Sequence, residues 1–460
     1  MRITDFKNQK IHFIGIGGIS MRGLAKLLLL DGYEVTGSDM NYSDCFEMLE
    51  GLGAKCYTPH KKGQEEGAGL IVVNSAIAQD NPELAAAKEK NIPVMERTEL
   101  LSQLMEKARI SFGVSGMHGK STCSSMMVNV LELCGKNPTA HLGGELRLIG
   151  GATKHGGDIF VTEACEYKNN YHRLSLTGAV ILNVDEDHLD FFKDIDAIVD
   201  SYRTYINKIP EDGVVILNAD DEKTMEAAEQ RKCAGITFGV KNQADFKAEN
   251  ITKREDACYE FDLAHEGSLH HVVLGVPGKH NVYNACAAIA GAVSCECGIE
   301  CACSKITEYT GTKRRFEYTG TVKNGVVVYH DYAHHPLEIK ATLETALDRV
   351  KGKVICVLQP HTYTRTKALL DDFARSFDDA DAVIVTDIYA AREPDDGTVH
   401  SKDLVKKVLE HNKDKKCFYA ESFEAAAEKA FEMCEPEDII ITLGAGDIEK
   451  VNRLLKDYEQ

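Results

Sequence analysis

The residues best suited to chemistry lie in the glycine-rich segment FGVSGMHGKST, which contains Gly116, Gly119, Lys120 and Ser121. An apolar run that predicts a strand precedes these residues, and a segment that predicts a helix follows them. In such a loop the backbone amides and the helix N-terminus surround phosphates, a lysine reaches the outer phosphates, and a serine hydroxyl ligates Mg²⁺. Val114 stands where the complete Gly-x4-Gly-Lys-Ser/Thr pattern has glycine, so the loop is a shortened variant. We predict that it binds ATP.

A similar turn, FIGIGGISM, occurs near the start of the chain and places Gly15, Gly17 and Gly18 between a predicted strand and a predicted helix. Asp39 follows the next predicted strand. In dinucleotide-binding folds, such glycines let the backbone approach a diphosphate, and the later acidic residue meets a ribose hydroxyl. Ser20 occupies the position of the third glycine, which disfavours a nicotinamide or flavin cofactor. We predict a site for a nucleotide diphosphate; the alternative is a tight turn without a ligand.

Candidate metal ligands follow two predicted strands downstream of the loop that contains Lys120. The first strand ends near Glu163 and Glu166, and the second ends near Asp185, Asp187 and His188. The carboxyl ends of strands in an open parallel sheet line the ligand crevice, so these groups can reach a metal bound to phosphates. Chain order does not choose among the acids, and each could instead stabilise a helix N-terminus.

Short β-branched runs alternate with amphipathic helical stretches over nearly the whole chain, as in KIHFIGIGG followed by SMRGLAKLLLLDG. This alternation predicts parallel sheets covered on both faces, and hence an α/β fold with more than one sheet. At 460 residues the chain is too long for one core. The alternation is interrupted near residues 107 and 313, which predicts domains at 1–107, 108–313 and 314–460.

The charge and hydropathy of the chain exclude some partners. A formal net charge of −19 would repel nucleic acid and anionic lipid. No segment reaches the roughly 18 uncharged apolar residues of a membrane helix, and the first residues lack the basic-then-apolar order of a secretion signal. We therefore expect a cytoplasmic protein with neither a nucleic-acid partner nor a membrane partner.

The chain contains 15 cysteines, scattered through predicted strands and helices. This distribution favours reduced, buried thiols over a disulfide framework. The densest group, CECGIECACS, holds Cys295, Cys297, Cys301 and Cys303 in Cys-x-Cys pairs, not the Cys-x2-Cys spacing usual in metal sites. We interpret these thiols as packing residues at the end of a helical run.

Nine segments together resemble the Mur ligase family, in matching order over essentially the full chain: GMHGKST, EACEY, NVDEDHLD, GKHNVYNA, GTKRRFE, HDYAHHP, LQPHTYTRTKALLDDF, DIYAARE and GAGDI. The resemblance implies three domains. A Rossmann-like N-terminal domain would bind a UDP-sugar, and a central P-loop ATPase domain with a mostly parallel sheet would bind ATP. A Rossmann-like C-terminal domain would bind the amino acid and close on ATP. The two glycine loops would then serve two different nucleotides.

The resemblance also implies roles for individual residues. The UDP-sugar would contact Gly15, Gly17, Gly18, Ile19, Ser20, Asp39 and Ser75. ATP would contact Gly116, Met117, His118, Gly119, Lys120, Ser121, Thr122, Asn281, Asn284, Arg315 and Asp331. Mg²⁺ or Mn²⁺ would be held by Ser121, Glu163 and His188. The amino acid would contact Tyr332, His334 and Arg365. The catalytic residues would be Lys120, His118, His188 and Arg315.

The activity that the resemblance implies is ATP-dependent attachment of L-alanine to the lactyl carboxylate of UDP-N-acetylmuramate, in the synthesis of peptidoglycan precursors. A carboxylate is a poor electrophile, so the reaction would pass through an acyl phosphate and release ADP and phosphate. One alternative is a ligase of the same architecture that attaches a recycled murein tripeptide. A more distant alternative is an oxidoreductase or sensor that binds a dinucleotide at the first loop, but it leaves Lys120 and Ser121 without a role.

Overall fold

A computed structural model describes residues 1–188, 191–323, 325–391 and 393–458. The chain divides into two compact units. The first unit comprises Met1–Glu249, Asp262–Val272 and Tyr283–Glu308, and the second comprises Asn250–Phe261, Val273–Val282 and Tyr309–Gln460. Helices accompany three sheets in the described residues, so the predicted α/β class is confirmed.

The first sheet has five parallel strands in the order β3-β2-β1-β4-β5. Its strands are β1 (Lys10–Ile14), β2 (Val35–Ser38), β3 (Lys55–Tyr57), β4 (Ala68–Val73) and β5 (Val94–Glu96). The accompanying helices are α1 (Ile19–Leu30), α2 (Cys45–Gly51), α3 (Pro82–Glu89) and α4 (Arg97–Met105). The first glycine loop joins the carboxyl end of β1 to α1, the place where open parallel sheets bind ligands.

The second sheet has ten strands in the order β15-β14-β13-β12-β11-β10-β6-β9-β7-β8. Its strands are β6 (Ile110–Ser115), β7 (Thr139–Leu146), β8 (Gly151–Lys154), β9 (Ile159–Glu163), β10 (Gly178–Ile181), β11 (Val214–Asn218), β12 (Ala234–Gly239), β13 (Phe246–Lys253), β14 (Cys258–His265) and β15 (Ser268–Pro277). The accompanying helices are α5 (Lys120–Leu133), α6 (Ile195–Ile206), α7 (Glu222–Ala227), α8 (His280–Ser294) and α9 (Ile299–Lys305). The second glycine loop joins β6 to α5, and β6 lies between the parallel strands β9 and β10.

The third sheet has six strands in the order β16-β17-β21-β18-β19-β20, with β16 antiparallel to β17 and the other pairs parallel. Its strands are β16 (Glu317–Val322), β17 (Val326–Asp331), β18 (Val354–Leu358), β19 (Ala382–Val385), β20 (Lys416–Tyr419) and β21 (Ile439–Leu443). The accompanying helices are α10 (Pro336–Arg349), α11 (Tyr363–Ala368), α12 (Leu370–Arg375), α13 (Ser401–His411), α14 (Phe423–Met433) and α15 (Lys450–Asp457).

The central strands are buried along their whole length. Every residue of β10, β18 and β21 is buried, and their sequences GAVI, VICVL and IIITL are continuous apolar runs. Such runs are typical of parallel strands that are covered on both faces, whereas a strand with one wet face alternates polar and apolar residues. These rigid strands hold the loops at their carboxyl ends in fixed positions.

The expectation that the cysteines are thiols is wrong for one pair. Cys134 follows α5 and Cys301 lies on α9; the two form a disulfide across a sequence separation of 167 residues. Packing of α5 against α9 brings the two Cα atoms to 6.1 Å, a separation that a disulfide can span and that sequence spacing does not reveal. The sulfur of Cys297 lies within 4.8 Å of both. The other cysteines of the described residues are thiols, most of them buried.

Candidate functional site

The second glycine loop has a backbone that requires glycine at two positions. Gly116 has a φ of 139° and Gly119 a φ of 84°, both in the region that side chains disfavour. A Cβ atom on Gly119 would lie 2.6 Å from Oδ1 of Asn284, and one on Gly116 would lie 2.9 Å from Cβ of Leu182. The α5 helix begins immediately afterwards at Lys120, so its N-terminal amides face the loop. The arrangement suits a phosphate cradle.

An asparagine that the sequence analysis did not select holds this loop. Asn183, just after β10, accepts a hydrogen bond from the His118 amide at 2.9 Å and donates one to the His118 carbonyl at 3.1 Å. One side-chain amide therefore binds both backbone groups of a single loop residue. This fixes the backbone at the predicted catalytic residue His118.

Lys120 lies at the centre of a compact charged cluster. Its ammonium donates to the carbonyls of Gly116 at 2.6 Å and Met117 at 3.1 Å, and it lies 3.1 Å from Oε2 of Glu166. His188 Nε2 lies 3.0 Å from Oε1 of the same carboxylate. Only 1% of the Glu166 side chain is exposed, so its contacts with Lys120 and His188 are shielded from water.

The electrostatics of this cluster favour charged groups. Burial disfavours the Lys120 ammonium, but the Glu166 carboxylate outweighs burial and holds the pKa of Lys120 above its usual value. Burial likewise acts against the Glu166 carboxylate, but Lys120 and His188 outweigh it and hold the pKa of Glu166 below its usual value. The loop thus presents a permanent positive charge where phosphate oxygens would lie.

The two glutamates of EACEY have different environments. Glu163, at the end of β9, accepts the Gly143 amide at 2.7 Å, and a Cβ on Gly143 would lie 2.5 Å from its carboxylate. Glu166 instead faces Lys120 and His188. The predicted metal ligand Glu163 therefore contacts Gly143, and Glu166, to which the family resemblance gives no role, contacts Lys120 and His188. Their spacing of three residues could not separate the two roles, because the irregular backbone after β9 sets the direction of each side chain.

The other predicted metal ligands border the same loop. His188 has a φ of 55°, a left-handed conformation that is uncommon for residues with side chains and is enriched at functional sites. The ring of Tyr167 lies 4.8 Å from its imidazole, centre to centre. Ser121 is buried in the first turn of α5, directly after Lys120. Hydroxyl, imidazole and carboxylate groups are a donor set that suits a hard or borderline divalent cation.

The first glycine loop is supported by the strand beside it. The Gly15 amide donates to the Ser38 carbonyl at 2.8 Å, and the Gly17 amide donates to Asp39 Oδ2 at 2.9 Å. A Cβ on Gly17 would lie 2.9 Å from that carboxylate oxygen. Asp39, predicted to meet a ribose hydroxyl, therefore also orders the loop. The predicted residue Ser75 lies in an exposed turn after β4.

Ser20 uses its side chain at the position where the fingerprint has a third glycine. Its hydroxyl contacts Arg97 Nη1 and His141 Nε2, each at 2.8 Å. Close packing of α1 instead occurs at Gly23, where a Cβ would lie 2.3 Å from Oγ1 of Thr153 on β8. The glycine that permits tight packing is thus displaced along the helix, and α1 packs against β7 and β8.

Asn281 and Asn284, two of the predicted contacts of ATP, both lie on α8. Asn281 Nδ2 donates to the Pro277 carbonyl at 2.6 Å, which ties the start of the helix to the preceding strand. Asn284 adjoins Gly119, as its distance from a Cβ on that glycine shows. Asn284 is therefore placed directly beside the phosphate loop.

The second unit contains the predicted residues Arg315, Asp331 and Tyr332. Arg315 Cζ lies 5.1 Å from the centre of the Tyr332 ring. Asp331 is buried, and its two oxygens accept the amides of Phe316 at 2.6 Å and Ala333 at 2.7 Å. Burial raises the pKa of Asp331 to about 6, although Arg315 and the two amides favour the carboxylate.

His361 connects the other predicted residues of this unit. The His361 ring lies 5.5 Å from that of His334, and its Nδ1 lies 3.2 Å from Arg365 Nη1. Burial, with the nearby His334 and Arg365, lowers the pKa of His361 to about 3, so its ring is neutral. His334 Nδ1 is 2.9 Å from the Tyr332 carbonyl. The structure thus brings Tyr332, His334 and Arg365 together, through a histidine that the prediction missed.

Comparison with known proteins gives matches over the whole chain. Residues 10–109 match the catalytic domain of the Mur ligase family, 114–292 the Mur ligase middle domain, and 314–446 the Mur ligase glutamate ligase domain. A UDP-N-acetylmuramate–L-alanine ligase of Caldanaerobacter subterraneus is 45% identical over 98% of both chains. One of Clostridium perfringens is 44% identical over 97% of both.

Solved structures show the same architecture. The UDP-N-acetylmuramate–alanine ligase of Thermotoga maritima has a TM-score of 0.82 and 26% identity, covering 98% of this chain and 99% of that one. A murein peptide ligase of Psychrobacter arcticus has a TM-score of 0.76 and 22% identity, covering 98% of each chain, and so shows likeness of fold.

Proposed function

Because the chain belongs to the Mur ligase family, we propose that it is an ATP-dependent ligase that joins L-alanine to the lactyl carboxylate of UDP-N-acetylmuramate. The observation that carries this function is the charged Lys120 in a phosphate loop beside Glu166 and His188. The reaction produces ADP and phosphate and belongs to the synthesis of peptidoglycan precursors. We also propose that the enzyme is cytoplasmic. In a separate finding, none of the helices described is long and apolar enough to cross a membrane.

The chemistry has two steps. The lactyl carboxylate attacks the γ-phosphorus of ATP, a P–O bond breaks, and ADP leaves, which converts the carboxylate into an acyl phosphate. The amine of L-alanine then attacks the acyl carbon, loses a proton and expels phosphate. Such phosphoryl transfer depends mainly on positioning and charge neutralisation. Lys120 supplies the charge, and the loop held by Asn183 supplies the positioning.

A divalent cation, Mg²⁺ or Mn²⁺, fits the groups beside the loop. Ser121, Glu163 and His188 would hold it, with Glu166 orienting His188 from a distance of 3.0 Å. When bound, the cation neutralises negative charge on the phosphates. The Glu166 carboxylate contacts the Lys120 ammonium with one oxygen and the His188 imidazole with the other, so it holds both groups beside the loop.

The amino acid is assigned to the cluster of Tyr332, His334 and Arg365 in the second unit. Arg365 offers a planar pair of donors that matches a carboxylate, and neutral His361 supports it at 3.2 Å. Asn281, Arg315 and Asp331 stay proposed contacts of ATP. The domain limits 1–107, 108–313 and 314–460 are likewise proposed; the separate sheets on either side of residues 97–109 support the first limit.

The deciding experiment measures phosphate release from ATP by the purified protein with Mg²⁺ and UDP-N-acetylmuramate. L-Alanine, glycine, L-serine and a murein tripeptide are tested as separate amines. We expect release that requires both the sugar nucleotide and L-alanine. Release with the tripeptide alone would replace this function by that of a murein peptide ligase. If none of the four amines supports phosphate release, both functions are contradicted.

A further inference from the structure

A cavity of about 180 Å³ lies in the first unit beside the first turn of α1. Ser20 lines it from the first turn of α1, Arg97 from the start of α4, and His141 from β7. Glu163, which ends β9 beside the phosphate loop, also lines it. The first turn of α1 and the end of β9 therefore both border this cavity.

Arg97 brings a positive charge to the wall of this cavity. Its Nη1 donates to the Ser20 hydroxyl at 2.8 Å and its Nη2 to the Thr98 hydroxyl at 3.3 Å. Among the described residues, no aspartate or glutamate forms an ion pair with this guanidinium, unlike Arg22 nearby, which pairs with Glu145 at 2.8 Å. Burial lowers the pKa of Arg97, and the nearby Cys165 and Glu96 offset this effect only in part. A partly buried, uncompensated charge is costly unless an anion completes it.

A hydrogen-bond relay fixes the direction of the guanidinium. Arg97 donates to Ser20, whose hydroxyl proton is then directed to His141 Nε2 at 2.8 Å. His141 must be neutral to accept it, and burial together with the charge of Arg97 lowers the pKa of His141 to about 3. His141 Nδ1 lies 3.4 Å from the Thr153 hydroxyl, which completes the relay. Ser20 and Thr98, the side chains to which the guanidinium donates in the described part of the chain, are both uncharged.

We propose that Arg97 binds the diphosphate of the sugar nucleotide and that Ser20 and His141 are positioning residues for it. This inference rests on the proposed function. Ser20 is the second residue of α1, whose N-terminus attracts phosphate, so the guanidinium and the helix amides converge on one anion. Arginine also matches phosphate oxygens with paired donors. The serine at the position of the fingerprint's third glycine thus supplies a hydroxyl that holds the arginine.

Calorimetric titration with three ligands tests the assignment. UDP has the diphosphate alone, UDP-N-acetylglucosamine adds a sugar without a lactyl group, and UDP-N-acetylmuramate has all three parts. For Arg97→Gln we expect Kd to rise at least about tenfold, by a similar factor for every ligand, since each retains the diphosphate. Arg97→Lys should recover part of the affinity. The matched control Arg22→Gln removes a charge that Glu145 already neutralises, and its Kd values should stay within about twofold of the wild type.

Thermal unfolding without ligand separates binding from a structural role. Removing an uncompensated charge should leave Tm unchanged or raise it, and the KM values for ATP and L-alanine should stay close to those of the wild type. Equal affinities in wild type and Arg97→Gln would overturn the proposal. A loss of affinity confined to UDP-N-acetylmuramate would also overturn it, because it would assign Arg97 to the lactyl carboxylate. A lower Tm in both Arg97 variants would make the residue structural. A wild type that binds no UDP compound and releases no phosphate would instead overturn the proposed function itself.

Discussion

The Lys120 ammonium lies 3.1 Å from Oε2 of the buried Glu166, so the cation of the phosphate loop is paired with a carboxylate of its own chain. An anionic phosphate that reaches Lys120 must share it with Glu166. Replacing Lys120 by alanine should lower phosphate release at least about 100-fold while leaving the Kd of UDP-N-acetylmuramate within about twofold, because the first loop is a separate cradle. Activity assays and calorimetry check this. Loss of sugar-nucleotide binding in a folded variant would contradict the division of roles.

The same ion pair predicts a non-additive effect on stability. Lys120→Ala leaves a buried carboxylate without its cation and should lower the free energy of unfolding by about 3 kcal/mol. Adding Glu166→Gln removes that carboxylate, so the double variant should be more stable than Lys120→Ala alone. Denaturant unfolding of the wild type, both single variants and the double variant gives the coupling energy. Strictly additive effects would show that the two side chains do not interact.

The fold class and both glycine loops could be predicted from the sequence because their causes are local. Continuous apolar strands and glycine-containing turns each depend on a few consecutive residues, and the structure has both features where the sequence predicts them. The position of Glu166 beside Lys120 could not be predicted, because the irregular backbone between Glu163 and Glu166 decides where each side chain points. Contacts between distant residues, such as Ser20 with Arg97 or Cys134 with Cys301, depend on how elements pack and leave no signal in residue spacing.

Glu163 is a predicted metal ligand that also accepts the Gly143 amide, and a substitution can separate these two roles. Glu163→Gln keeps the acceptor oxygen for this amide but removes a negative charge. If Glu163 is a metal ligand, the Mg²⁺ concentration for half-maximal activity should rise at least about tenfold. Glu145→Gln, on the same unit but paired with Arg22, is the control and should leave this concentration unchanged. An unaltered Mg²⁺ requirement in Glu163→Gln would transfer the ligand role to Glu166.

Asp331 predicts a specific pH dependence of stability. Its folded-state pKa of about 6 lies above the value near 4 of an unfolded aspartate, so the folded chain binds the proton more tightly. Asp331 therefore contributes up to about 3 kcal/mol to the free energy of unfolding below about pH 4, and this contribution is lost as the pH rises to about 6. Asp331→Asn cannot titrate. The free energy of unfolding of wild type minus variant should fall between pH 4 and 6 and be flat above; a difference that rises with pH would refute the assignment.

The disulfide between Cys134 and Cys301 predicts a response to reductant. Alkylation of the denatured, unreduced protein should modify two fewer thiols than alkylation after reduction, as counted by mass spectrometry. Because the bond closes a long loop, its reduction should lower the free energy of unfolding by a few kcal/mol, and Cys134→Ser should abolish the effect of reductant. Cys417→Ser, a buried thiol of the second unit, is the control and should retain that effect.

Arg365 and its neutral partner His361 predict which substrate the second unit binds. Arg365→Ala should raise the KM of L-alanine about 100-fold and that of ATP by far less, because the guanidinium offers paired donors to a carboxylate. His361→Asn should act in the same direction but more weakly, since it only supports the arginine. The control is Arg375→Ala, an exposed arginine at the end of α12, which should leave both KM values unchanged. If Arg365→Ala instead raises the KM of ATP and spares that of L-alanine, this cluster binds the nucleotide and the amino acid is bound elsewhere.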